Sequence, residues 1–70
     1  MSKNEVENIA KIAEAVALQS SEAYLRVPSR NNPSGALTAH DIDAIKARFY
    51  DIIQAADRLK MIADNIAARA

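Results

Sequence analysis

From Ala39 to about Arg69 the apolar positions recur alternately three and four residues apart. Ile42, Phe49, Ala56 and Ala63 make one row, and Ile45, Ile52, Leu59 and Ile66 make the other. A heptad pattern kept over four repeats predicts a long amphipathic helix of coiled-coil type. Ile53 and Ile62 flank it and make the apolar surface wider than a two-stranded seam needs. The first row runs from large to small residues. The helices are therefore expected to approach closest near Ala56 and Ala63, with a thicker core around Phe49.

A second pattern of the same period covers Lys3 to about Arg26. Val6, Ile9, Ala13, Val16 and Ala23 follow helical spacing, with Ile12 and Ala17 widening the stripe. Both segments open on the same start signal. Ser2 precedes Glu5 by three residues and Thr38 precedes Asp41 by three, and each pair can form a capping box. Met1 and Val6, then Leu37 and Ile42, stand at the positions of a hydrophobic staple. Val27 precedes Pro28, which pushes it out of the α region and closes the first helix.

The fold class that follows is all-α: an antiparallel two-helix hairpin within one domain, residues 1–70. Helix 1 covers about 3–26, a long connecting loop about 27–38, and helix 2 about 39–69. At 1.5 Å per residue the helices are roughly 35 and 46 Å long. Helix 2 therefore either projects past its partner by about two turns or is covered in its first turns by the loop.

Length then changes the picture. A 70-residue chain buries only about 60% of its unfolded surface. It has no cysteine for a disulfide and one histidine, too few for a zinc set. Oligomerisation is the remaining way to add burial. Self-association into a four-helix bundle or similar helical oligomer, a homodimer in the simplest case, is the expectation. Its interface is assigned to Ile45, Phe49, Ile52, Ile53, Ala56, Leu59, Ile62, Ala63 and Ile66.

Helix connections in bundles usually take about two to eight residues, and this one is longer. The segment Arg26 to Thr38, RVPSRNNPSGALT, carries residues that supply turns: Asn31, Asn32, Pro33 and Gly35. It is either a spacer or a recognition loop. In the second case Arg26, Arg30, Asn31 and Asn32 present hydrogen-bonding groups to a protein partner.

Nine basic and nine acidic side chains balance, so there is no global attraction to nucleic acid or an anionic membrane. The basic residues near the loop, Arg26, Arg30, Lys46 and Arg48, are interleaved with Asp41, Asp43 and Asp51. A small nucleic-acid-binding regulator using those cations is the alternative reading, and the interleaving argues against it.

No enzyme is expected. His40 has Ser29, Ser34 and Thr38 near it in sequence, but each of these has an ordinary turn or capping role. Asp43, Asp57 and Asp64 share a row. Asp57 and Asp64 lie two turns apart, whereas metal ligands sharing one ion on a helix lie three or four residues apart, so neither metal nor cofactor is expected. A local pair such as Asp57 with Lys60 fits better. No run of about 18 apolar residues and no signal-peptide core occurs, which predicts a cytoplasmic protein without membrane spans. The function implied is a non-enzymatic protein–protein interaction module: a small adaptor, chaperone or inhibitory subunit.

Overall fold

In the computed structural model, which describes residues 2–69, two helices pack against each other as a hairpin. Helix α1 runs Lys3–Arg26 and helix α2 runs Ala39–Arg69. No strand occurs among the described residues. The molecule is a rod of 50 × 14 × 13 Å with a radius of gyration of 15.9 Å. A compact chain of this length would have a radius near 11 Å.

Both helix starts are chemically explained. The Ser2 hydroxyl accepts from the Glu5 backbone N–H at 3.2 Å, and the Glu5 carboxylate accepts from the Ser2 N–H at 3.3 Å. Thr38 and Asp41 repeat this exchange, with both bonds at 3.1 Å. Each box satisfies donors that the first helical turn leaves without partners. Leu37 is half-buried next to the second box and Ile42 is fully buried. The Met1 staple lies outside the described residues. Val27 ends α1 in an extended conformation, as its proline neighbour requires.

The face that α1 buries differs from the expected stripe. Val6, Ala10, Ala13, Ala17 and Ser20 are buried, whereas Ile12 is 63% and Val16 38% exposed. On α2 the buried residues are Ile42, Ala56, Ala63 and Ala67, and the row Ile52, Leu59 and Ile66 stays outside. The cause is steric. Alanine lets two backbones approach closely, and the long seam is served by the row that is small on both helices, leaving the bulky aliphatics on its flank. Ala56 and Ala63 lie in the seam, with their side chains 7% and 3% exposed.

Val6 and Ala10 pack with Ala63 and Ala67, which puts the two free ends of the hairpin level. The extra length of α2 therefore lies at the loop end. Residues 27–38 fold back there. Val27, Pro28 and Leu37 are half-buried, and the Arg30 guanidinium reaches Asp43 on the first turns of α2 at 3.4 Å. Within the segment Ser29 accepts from Asn31 and Asn32, and Ser34 accepts from Leu37. Gly35 has φ +60°, a left-handed conformation in which a side chain would be strained even though the space around it is open.

Candidate functional site

Successive residues of a helix are rotated by about 100°, so the seam divides the surface of the hairpin into two flanks. On one flank α1 presents Glu5, Ile9, Ile12, Val16, Gln19 and Ala23 in a single row. Beside it α2 presents Arg48, Ile52, Ala55, Leu59, Ile62, Ile66 and Arg69. Four of these side chains, Ile52, Leu59, Ile62 and Ile66, are open to solvent to nearly the same degree, 44% to 49%. Between the rows runs a shallow groove of about 250 Å³, walled by Ile12 and Val16 on one side and Ile52, Ala55 and Leu59 on the other. No charged side chain interrupts either row between Glu5 and Gln19 or between Arg48 and Arg69.

The opposite flank is chemically different. Towards the loop end a second groove of about 270 Å³ is lined by Ser21, Tyr24, Leu25, Tyr50 and Ile53. Leu25 and Tyr50 are exposed, and the Lys46 ammonium stands 5.0 Å from the centre of the Tyr24 ring, within reach of a cation–π contact. Further along this flank Lys60 binds Asp64 at 2.8 Å, not Asp57 as the spacing suggests. The hydrogen bond from Lys60 to Asp64 and then the charge of Asp64 raise the Lys60 pKa. At the loop end of the molecule the Thr38 backbone N–H, and then its hydroxyl, lower the Asp41 pKa.

The residues expected at an oligomer interface fall into three groups. Ala56 and Ala63 are buried between the chain's own helices. Ile45, Phe49 and Ile53 are half-buried. Ile52, Leu59, Ile62 and Ile66 form the open aliphatic flank. Sequence spacing did not identify Ile12 and Val16 as part of that flank, because it placed them on the stripe facing α2. The available signal was the parallel run of alanines at positions 10, 13 and 17, which offers a closer packing surface.

Of the expected partner-binding residues, Arg26, Asn31 and Asn32 are exposed at the loop end. Arg30 is exposed too but is paired with Asp43. His40 is exposed on the first turn of α2. Met61 is 65% exposed on the outer side of α2, beside Gln54, Asp57 and Arg58. Among the described residues no group of three or more His, Cys, Asp or Glu could hold a metal ion, and no helix is long and apolar enough to cross a membrane.

No family model, curated protein or solved structure matches this chain.

Proposed function

We propose that the protein is a homo-oligomeric helical bundle, a dimer in its simplest form, that acts as a non-enzymatic protein–protein interaction module. The observation that carries this reading is the open aliphatic flank of Ile12, Val16, Ile52, Leu59, Ile62 and Ile66. A contiguous apolar face on a small rod loses water favourably when covered, at about 25 cal/mol per Å². The hairpin's own seam, made largely of alanines, gains little by comparison.

A second copy on that flank leaves the loop end and the tyrosine-lined groove accessible. Arg26, Asn31 and Asn32 lie at that end, where a different protein would be held by the bundle as an adaptor, chaperone or inhibitory subunit holds its client. The pairing of Arg30 with Asp43 removes one of the uncompensated cations on which nucleic-acid affinity depends.

Sedimentation velocity at micromolar concentration tests the core of the reading. A dimer or larger species is expected, and a cooperatively folded monomer would overturn it.

A further inference from the structure

We infer that the second copy seats on the aliphatic flank about a two-fold axis perpendicular to the rod and passing close to Leu59, so that the two hairpins lie antiparallel with their loops at opposite ends. The inference rests on the homo-oligomer reading above and adds its geometry.

The area of the molecule calls for such a partner. The chain exposes 5332 Å² at a mass of 7.6 kDa, whereas a compact monomer of that mass exposes about 4,300 Å². The excess of about 1,000 Å² is close to the roughly 800 Å² that each partner buries in a standard interface.

The order of residues along the flank calls for a copy of this same chain. A two-fold interface requires self-complementarity: if one residue touches a second across it, the second touches the first. The α2 row reads nearly the same in both directions from Leu59. Ile52 and Ile66 stand seven positions either side, Ala55 four before and Ile62 three after, Arg48 eleven before and Arg69 ten after. Reversed onto itself, the row sets Leu59 against the partner's Leu59 and Ile52 against the partner's Ile66. The small Ala55 meets the large Ile62 of the partner subunit, which is the alternation that lets facing layers interdigitate.

The α1 row lies beside it: Ile12 and Val16 wall the same groove as Ile52 and Leu59, so the axis that pairs the α2 rows also lays the partner's α1 row on this one.

A parallel arrangement, with its axis along the rod, lays the α2 row on the partner's α1 row. Each row then meets a different one, and the reversal symmetry of the α2 row goes unused. In the antiparallel arrangement Arg48 and the partner's Arg69 come together instead. Both are exposed rim residues, where solvent screening keeps repulsion small.

The chain contains no cysteine, so a single introduced thiol reports on one position. Spin labels on Ser34→Cys, at an exposed loop position, measure the separation of the loops in the dimer by double electron–electron resonance. Leu59 lies about 30 Å along the axis from the start of α2 and the loop turns back at that end, so the labels are expected roughly 50–60 Å apart. Leu59→Cys is expected to form an intermolecular disulfide with itself under mild oxidation. A monomer would overturn both this arrangement and the reading beneath it. A dimer with loop labels within about 30 Å of each other would overturn the arrangement alone. A dimer with distant loops in which the Leu59→Cys variant stays reduced would overturn the placement of the axis. If Leu59→Cys itself weakens association, the loop distance decides.

Discussion

Ala13 and Ala56 line the same groove between the helices, yet Ile12, one residue before Ala13, and Leu59, three residues after Ala56, are open to solvent. The hairpin thus packs largely on alanines and leaves most of its larger aliphatic side chains exposed. In the proposed dimer seam and flank have separate jobs, and substitutions on the two should have separable effects.

In the seam, Ala13→Leu or Ala63→Leu forces added volume into a site where the helices are in close contact. Each is expected to cost about 1–3 kcal/mol, the usual effect of overpacking. Urea unfolding followed by circular dichroism at one fixed protein concentration checks this, the concentration being held because dissociation is linked to unfolding.

On the flank, Ile52→Asp and Leu59→Asp place a carboxylate where the proposed second copy covers it. Within a lone hairpin either position is about half open to water, so the charge is tolerated there. In a dry dimer interface it should cost several kcal/mol and drive dissociation, with unfolding to follow at low concentration. Sedimentation and thermal melting identical to wild type for both variants would remove the flank from the interface.

Thr38→Ala removes the hydroxyl that caps α2 and should destabilise the protein by about 1 kcal/mol, read from the urea midpoint. The same box predicts a pH dependence. The Asp41 carboxyl, held below its usual pKa first by the Thr38 N–H, contributes stability that is present above the unfolded-state pKa and is lost as pH falls through the lower folded-state value. The stability gap between wild type and Asp41→Asn should be full near neutral pH and close in strong acid. Lys60 has the opposite sign. Its pKa is raised by Asp64, so the contribution of the Lys60 and Asp64 pair is present below the unfolded-state pKa of Lys60 and fades as pH rises through the folded-state one.

At the loop, replacing Arg30, Asn31 and Asn32 together by serine keeps the length and both caps. The positions are exposed and the ion pair of Arg30 with Asp43 is a surface one, so stability should change by no more than about 0.5 kcal/mol. Binding of a protein partner isolated with the wild-type chain should weaken in calorimetry. Unchanged affinity would make the segment a spacer.

Much of this architecture is fixed locally and was legible for that reason. Ser2 with Glu5 and Thr38 with Asp41 bond within four residues, and Pro28 acts on its immediate neighbour, so start, stop and helical state follow from the order of residues alone. The apolar period also announced that α2 has more hydrophobic surface than one helix can cover.

Which face the helices share was decided only by tertiary packing. Val6, Ile9, Ala13 and Val16 fit a helical stripe as well as Val6, Ala10, Ala13 and Ala17 do, and the two stripes differ by a small rotation of α1. Hydrophobicity favours the first and closeness of approach the second. The balance depends on what α2 presents opposite, where Ala56, Ala63 and Ala67 make a matching small surface. The loop's position was likewise undecided until packing set Val6 and Ala10 beside Ala63 and Ala67: level free ends leave the surplus of α2 at the other end, where residues 27–38 turn back and Arg30 meets Asp43. Periodicity along one helix records which positions are apolar, and only the partner helix determines which of them it covers.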